Sequence, residues 1–207
     1  MSDTGTLVYV VDDDISAREG VARLICSAGL TAKTFASGEE FLAAARSKIP
    51  GCLILDVNLP GLNGLDLQEE IAESDTEVPI IFLTGCGDIP MTVRAVQAGA
   101  ANFLTKPVDD EELLKAVRQA LERSRLALAH ETQMQGLRDR YESLTPREMQ
   151  VMALVVSGLL NKQVGGKHGI SEKTVKAHRG QVMHKMKANS VADLVKMAGR
   201  LQLTPSQ

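Results

Sequence analysis

The 207-residue sequence lacks three features that would each place it in a particular class of protein. Its longest apolar run, Val151 to Val156, is far shorter than the roughly 20 residues of a membrane-spanning helix. Its amino terminus, MSDTG, has no positive region of the kind that begins a signal peptide. Its three cysteines are an odd number, which favours reduced thiols over a disulfide framework. We therefore expect a soluble, cytoplasmic protein with no membrane partner.

Charge divides the chain into two parts of opposite sign. Residues 1 to 125 hold 20 Asp and Glu against 11 Lys and Arg, whereas residues 126 to 207 hold 6 against 12. The overall charge of −3 thus conceals a net of −9 followed by a net of +6. An acidic half is typical of a cation site, and a basic half is typical of a surface that binds phosphate groups. Two domains are therefore expected.

Short apolar runs alternate with segments of helical spacing through the first half of the chain. Strict alternation of strands and helices predicts a parallel, doubly wound α/β sheet that is covered on both faces. The predicted strands are Leu7 to Val11, Thr31 to Phe35, Cys52 to Leu55, Ile80 to Leu83 and Asn102 to Leu104.

The second half of the chain is predicted to be entirely helical. The fifth helix of the first domain starts after Asp109 and has no clear stop, since between Glu111 and Tyr141 there is no proline and one glycine. We therefore predict a first domain over 1–123, a long helical linker over 124–141 and a second domain over 142–207. Thr145, followed by Pro146 and Glu148, has the pattern of a helix start. The helices predicted from there cover about 146–157, 161–168, 171–187 and 190–201.

Polar residues stand at the carboxyl ends of four predicted strands, where open parallel sheets bind their ligands. Carboxylates close together supply hard oxygen ligands for a divalent ion such as Mg²⁺, and a carboxylate can also accept a phosphoryl group. Lysine and threonine there would offset charge on phosphoryl oxygens. The residues concerned are Asp12, Asp13, Asp56, Thr84 and Lys106. Asp14, the third acid of the run, is expected to cap the next helix instead.

The segments VVDDD, LILDVNLPGLNG, FLT and FLTKP make residues 5 to 122 similar to the receiver domain of two-component response regulators. That resemblance implies a flavodoxin-like sheet of order 2-1-3-4-5 and a cis bond between Lys106 and Pro107. It also implies that Asp56 accepts a phosphoryl group from a sensor histidine kinase, and that Thr84 and Phe103 switch position together. The implied ligands of Mg²⁺, for which Mn²⁺ could substitute, are Asp12, Asp13, Asp56 and the main-chain carbonyl of Asn58.

The basic second half contains the pattern of a helix-turn-helix motif, from about Asn161 to Gly180. Val175, Val182 and Met186 recur at helical spacing on one face, and the other face carries cations and hydroxyls. The segments LTPREMQVMALVVSGLLNKQV, GISEKTVKAHR and MHKMKANSVADLV resemble the output domain of the LuxR, NarL and FixJ type. The resemblance implies that promoter DNA is bound by Lys173, Thr174, Lys176, Ala177 and Arg179.

Three residues depart from the pattern of this output domain. Gly165 and Gly166 replace an alanine and a helix former, and each glycine costs about 1 kcal/mol of helix propensity relative to alanine. His168 replaces a leucine at an expected core position, so we expect a partly buried, hydrogen-bonded histidine rather than a ligand. The second domain is therefore expected to be marginally stable by itself.

The leading hypothesis is a transcriptional response regulator of the FixJ/NarL type, and not an enzyme in the ordinary sense. Phosphorylation would favour a homodimer through residues 89–122 and so the binding of two DNA half-sites. One alternative is a magnesium-dependent phosphatase of the haloacid dehalogenase type, which needs an acid where this chain has Asn58. Another alternative is a DNA-binding adaptor that acts without phosphorylation.

Overall fold

The computed structural model describes residues 5–44, 48–72, 78–85 and 89–203. The chain divides into two compact units, Met1–Ala129 and His130–Gln207. Cys86, one of the three cysteines, lies outside the described residues, and so does Asp88.

The first unit is a five-stranded parallel sheet of order β2-β1-β3-β4-β5, which confirms the predicted α/β fold. In chain order its strands and the helices that alternate with them are β1 Leu7–Val11, α1 Ile15–Ser27, β2 Thr31–Phe35, α2 Gly38–Ala43, β3 Gly51–Leu55, α3 Gly64–Ala72, β4 Ile80–Thr84, α4 Ile89–Gln97 and β5 Asn102–Thr105. α5 Asp110–Glu142 follows β5.

Both faces of this sheet are packed with apolar side chains. Successive side chains of a strand point to opposite faces. Accordingly, Tyr9 and Val11 belong to one hydrophobic cluster, while Val8 and Val10 belong to a second. The central strands are therefore buried on both sides, as the near-continuous apolar runs predict.

Two strands extend one residue beyond their predicted ends. Thr84 is the last residue of β4 and pairs with Thr105, the last residue of β5, whereas the sequence placed both after the strands. Threonine is β-branched and favours strand geometry, so the ladder continues through this pair. Thr84 is therefore held by strand pairing at the carboxyl edge of the sheet.

The fifth helix, α5, continues from the first unit into the second unit. It has 33 residues and is therefore about 50 Å long. Asp109 caps its start by accepting hydrogen bonds from the backbone N–H groups of Glu111 and Glu112 at 2.9 and 3.2 Å. The absence of a stop signal in the sequence thus corresponds to an uninterrupted helix.

The second unit contains four further helices, α6 Pro146–Val156, α7 Asn161–His168, α8 Glu172–Met186 and α9 Val191–Arg200. Thr145 and Glu148 form the predicted capping box at α6. Ser171 caps α8 and Ser190 caps α9. Between α7 and α8, Gly169 adopts a left-handed conformation with φ of 64°, which glycine accommodates without steric cost.

Cys26 is exposed and Cys52 is buried, and neither forms a disulfide bond within the described residues. Burial raises the pKa of Cys52 to about 12. None of the helices in the described parts of the chain is long and apolar enough to cross a membrane.

Candidate functional site

Three carboxylates meet at the carboxyl edge of the sheet. Asp12 and Asp13 follow β1, and Asp56 follows the neighbouring strand β3, where the backbone N–H of Asp56 donates to Val11. Asp12, Asp13 and Asp56 each place a carboxylate oxygen within 4.8 Å of the others. Asp12 and Asp56 are buried and Asp13 is exposed, so the cluster opens to solvent on one side.

Lys106, after β5, joins the two buried carboxylates. Its Nζ donates to Asp12 Oδ2 and to Asp56 Oδ2, both at 2.6 Å. Burial raises the pKa of Asp12 above its ordinary value, although the hydrogen bond from Lys106 opposes the rise. Burial by itself would lower the pKa of Lys106, but its hydrogen bonds to Asp12 and Asp56 outweigh this and raise the pKa. The ammonium therefore stays charged and offsets part of the carboxylate repulsion. The Lys106–Pro107 peptide bond is cis, as the resemblance implies.

The oxygen donors of this cluster fit a hard divalent cation. Mg²⁺ prefers oxygen ligands, is bound through few carboxylates and retains water molecules. Three carboxylates within reach of one another, with one of them exposed, provide that donor set and leave room for water.

Asp14 does not share this environment, since its side chain accepts hydrogen bonds from the backbone N–H groups of Ser16 and Ala17 at 2.7 and 3.1 Å. These hydrogen bonds, led by that from Ala17, lower the pKa of Asp14. The prediction that Asp14 caps the next helix is confirmed.

Arg18, which the sequence reasoning missed, holds the backbone of the acidic turn. Its Nη1 donates to the carbonyl oxygen of Asp12 at 2.5 Å and to that of Asp13 at 3.3 Å. Arg18 lies one helical turn after Asp14. The feature of the sequence that could have identified its role is a cation placed four residues after the acidic run. This contact holds the backbone from which the side chains of Asp12 and Asp13 extend.

The loop after β3 is fixed by close backbone packing at Gly64, the first residue of α3. A Cβ on Gly64 would lie 2.9 Å from Val57 Cα and closer still to the carbonyl oxygen of Asp56. The backbone N–H of Gly64 donates to Val57 at 2.9 Å. The absence of a side chain thus lets α3 support the backbone beside Asp56.

Thr84 and Phe103, which the resemblance implies switch position together, lie on the neighbouring strands β4 and β5. Thr84 is fully buried, and its hydroxyl accepts a long hydrogen bond of 3.4 Å from the Asn58 side chain. The backbone N–H of Asn58 donates to Asp56 Oδ1 at 3.0 Å, so Asn58 links Thr84 to the acid. Phe103 is partly buried, and its ring lies 5.9 Å from that of Phe82.

In the second unit, α8 presents most of the predicted contact residues to solvent. Val175, Val182 and Met186 are buried, which confirms the predicted apolar face. Lys173, Thr174, Lys176 and Ala177 are exposed. The arrangement of α7, the turn at Gly169 and α8 is that of a helix-turn-helix, whose second helix enters the major groove of DNA.

Comparison with known proteins gives the same division. Residues 8–118 match the response regulator receiver domain, and residues 142–198 match the LuxR family of bacterial regulatory proteins. The chain is a response regulator of the FixJ/NarL type. It joins a receiver domain to a LuxR-type DNA-binding domain and is therefore a transcription regulator of two-component systems.

Its relatives match over almost their whole length. Nodulation protein W of Bradyrhizobium diazoefficiens is 48% identical over 97% of this chain and 88% of that protein. FixJ of Rhizobium meliloti is 37% identical over 94% of this chain and 96% of that protein. The solved structure of the response regulator StyR has a TM-score of 0.85 and 46% identity, covering 95% of this chain and 99% of that one.

Two cations of the response regulator's basic helix are engaged within the protein. Arg179 is partly buried, and its Nη1 donates to the side-chain oxygen of Asn161, at the start of α7, at 3.0 Å. Lys185, near the end of the same helix, donates to Glu148 Oε2 at 2.6 Å and to the Ser143 carbonyl at 3.2 Å. Lys185 therefore connects α8 to α6, and Arg179 connects α8 to α7.

The departures at the end of α7 have specific environments. His168 is partly buried, and its Nδ1 lies 3.1 Å from Arg147 Nη1, which confirms the expected hydrogen-bonded histidine. Gly165 allows a close approach, because a Cβ there would lie 2.7 Å from the carbonyl oxygen of Ile170. A Cβ on Gly166 would meet nothing within 4 Å. The two glycines are thus not equivalent, a difference that helix propensity alone does not reveal.

Proposed function

We propose that this response regulator is activated when a sensor histidine kinase transfers a phosphoryl group to Asp56, and that the phosphorylated protein dimerises on promoter DNA. The observation that carries the proposal is the contact of Lys106 with both Asp12 and Asp56 beside the exposed Asp13. A buried acid pair held by one ammonium is a suitable acceptor for an anionic group, because the cation is already in place.

The transfer step follows from the position of Asp56. A carboxylate oxygen of Asp56 attacks the phosphorus of the kinase phosphohistidine, an O–P bond forms and the P–N bond breaks. The electron pair of that bond returns to the imidazole. Lys106 would offset the charge on the phosphoryl oxygens, and the Thr84 hydroxyl, which accepts a hydrogen bond from the Asn58 side chain, would donate to one of them.

Asp12, Asp13, Asp56 and the Asn58 carbonyl would hold Mg²⁺, for which Mn²⁺ could substitute. When bound, the ion offsets the combined negative charge of the carboxylates and the phosphoryl group. Arg18 would contribute by holding the backbone carbonyl groups of Asp12 and Asp13 in place.

The proposed dimer forms through the surface of residues 89–122. Val93 and Val96 of α4 are 46% and 56% exposed, so this helix offers an apolar surface to a second copy. An inward shift of Thr84 together with Phe103 would change the position of the neighbouring α4 and β5. Two linked DNA-binding units then bind two half-sites with higher combined affinity.

On the DNA, exposed Lys173 and Lys176 supply the charge that approaches the phosphate backbone and the groove. Thr174 and Ala177 lie on the same solvent-facing side of α8. Arg179, because it is bonded to Asn161, would act partly by fixing α8 against α7.

The phosphorylation proposal is tested with radioactive acetyl phosphate and Mg²⁺. Wild type is expected to be labelled and to dimerise, and Asp56→Asn to do neither, while Asp139→Asn, an exposed acid of α5, behaves as wild type. Labelling that persists in Asp56→Asn would overturn the assignment of the acceptor.

The DNA proposal is tested with duplex DNA that the wild-type protein selects from a random-sequence pool. Lys176→Ala is expected to weaken binding more than Lys196→Ala, which removes an exposed cation from α9. Equal affinity with and without beryllofluoride, a phosphoryl mimic, would instead favour an adaptor that acts without phosphorylation.

A further inference from the structure

Helix α4 has little apolar attachment to the body of the receiver domain. Among its described side chains, Ala95 alone is buried, and Met91 packs partly against the same cluster. Val93, Arg94, Val96 and Gln97 are exposed. With so few buried apolar side chains among those described, polar contacts contribute more to fixing the position of this helix. One of them is the exposed ion pair between Arg94 Nη2 and Oε1 of Glu69 on α3, at 3.8 Å.

A buried polar contact comes from Gln68, a residue of α3 that is 3% exposed. Its Nε2 donates to the carbonyl oxygens of Ala95 and Ala98 at 3.2 and 3.0 Å. The Ala95 carbonyl also accepts from the backbone N–H of Ala100, whereas the Ala98 carbonyl lies just after the last helical residue. A buried side-chain donor at both carbonyls adds to the backbone bonds that hold the end of the helix. The two bonds join α3 to the carboxyl-terminal end of α4.

The side-chain oxygen of Gln68 takes no part in the contact with α4. Its Oε1 is buried and has no hydrogen-bond partner among the described residues. An unpaired buried acceptor costs free energy, so the amide as a whole contributes little net stability to the fold. The value of Gln68 therefore lies in where its two N–H groups hold α4.

We propose that Gln68 is a positioning residue that holds the carboxyl-terminal end of α4 fixed during activation. The amino-terminal end of α4, at Ile89, follows soon after Thr84 in the chain. With one end fixed by Gln68, a shift that begins at Thr84 moves the other end and so turns the exposed Val93 and Val96 relative to the sheet. This inference rests on the proposed function, because it concerns the step from phosphorylation to dimerisation.

Gln68→Met in the full-length protein tests the proposal. Methionine keeps the length of the side chain but removes both donors, and the cavity of about 210 Å³ beside Gln68 gives the thioether room. Gln133→Met, at an exposed position of α5 outside residues 89–122, is the matched control. If the methionine variant does not fold, Gln68→Asn withdraws the amide by one methylene and allows the same comparison.

Three quantities are compared in each variant: the rate of labelling by acetyl phosphate, the dimerisation constant with and without beryllofluoride, and hydrogen exchange at Gly99 and Ala100. These two amides donate to Val96 and Ala95 in the last turn of α4. We expect unchanged labelling, faster exchange at both amides, and a ratio of activated to resting dimerisation constants reduced about threefold to tenfold.

Unchanged exchange and an unchanged ratio in Gln68→Met would overturn the proposal. A merely structural role would lower global stability and leave the ratio unaltered, which would also overturn it. Failure of the wild-type protein to dimerise with beryllofluoride would contradict the proposed function instead, and hydrogen exchange in the resting protein would still decide whether Gln68 holds α4.

Discussion

The ammonium of Lys106 lies 2.6 Å from Oδ2 of Asp56, although fifty residues separate the two in the chain. The same ammonium reaches Asp12, so one cation offsets two buried acids. The sheet brings these residues together because parallel strands end at one edge.

Replacing Lys106 with methionine is expected to destabilise the receiver domain by about 1–3 kcal/mol, because Asp12 and Asp56 lose their buried counter-charge. Urea unfolding monitored at the NMR signal of buried Leu53 measures the change. We also expect Mg²⁺ to stabilise Lys106→Met more than wild type, since the ion can replace part of the lost charge. Lys115→Met, at an exposed position of α5, is the control, and an equal gain from Mg²⁺ in all three proteins would contradict the prediction.

Gly64→Ala is expected to displace the backbone beside Asp56. The new Cβ would collide with backbone atoms of Asp56 and Val57, and overpacking of this kind costs about 1–3 kcal/mol. Both the unfolding free energy and the rate of labelling by acetyl phosphate should fall. Gly20→Ala adds the same methyl group to α1, where nothing lies within 4 Å, and should stabilise by about 0.5–1 kcal/mol. A normal labelling rate in Gly64→Ala would show that the loop adjusts without cost.

The paired glycines of α7 are expected to respond in opposite directions. Gly166→Ala should stabilise the DNA-binding domain by about 1 kcal/mol, because alanine favours helix and has free space there. Gly165→Ala should give no gain or a loss, since its Cβ would lie 2.7 Å from the Ile170 carbonyl oxygen. Urea titrations monitored at buried Val175 distinguish them, and equal stabilisation by both substitutions would refute the close approach.

Glu148 makes the stability of the DNA-binding domain depend on pH. The hydrogen bond from Lys185, followed by that from the Thr145 backbone, lowers the pKa of Glu148 from its ordinary value of 4.5. Because the pKa of Glu148 is lower in the folded protein than in the unfolded chain, ionised Glu148 stabilises the fold. This contribution is fully present above about pH 4.5 and is lost as the pH falls through the pKa of the folded state. Stability measured at buried Val151 should therefore decline on acidification.

The variant Glu148→Gln isolates that contribution. It should be less stable than wild type by about 1–2 kcal/mol at pH 7, and the difference should shrink below about pH 4.5. Glu142→Gln, at an exposed position of the same unit, should show no such convergence. A constant difference between wild type and Glu148→Gln across this range would mean that ionisation of Glu148 does not matter.

The sequence predicts the fold and the acidic cluster because both are expressed in local patterns. Buried parallel strands appear as apolar runs, and Asp12 and Asp56 stand directly after two of them. The residues that begin a helix are also close together in the sequence, as the capping box of Thr145 and Glu148 illustrates.

Contacts between distant segments have no such signature. Gly64 looks like a turn residue until the backbone of Val57 is seen against it. Arg179 and Lys185 look like members of one basic face, yet their partners, Asn161 and Glu148, lie on other helices. The amide of Gln68 likewise acquires its role only when α3 and α4 lie side by side.

The continuity of α5 determines where this protein can be cut. Leu137 is 1% exposed and belongs to the hydrophobic cluster of the second unit, together with Val151 and Leu194. A fragment that starts at residue 142, where the matched LuxR-family region begins, loses this leucine and leaves a gap in the cluster. A fragment that starts at His130 retains Leu137, and about two turns of helix precede this leucine, so the new end can fray without exposing it.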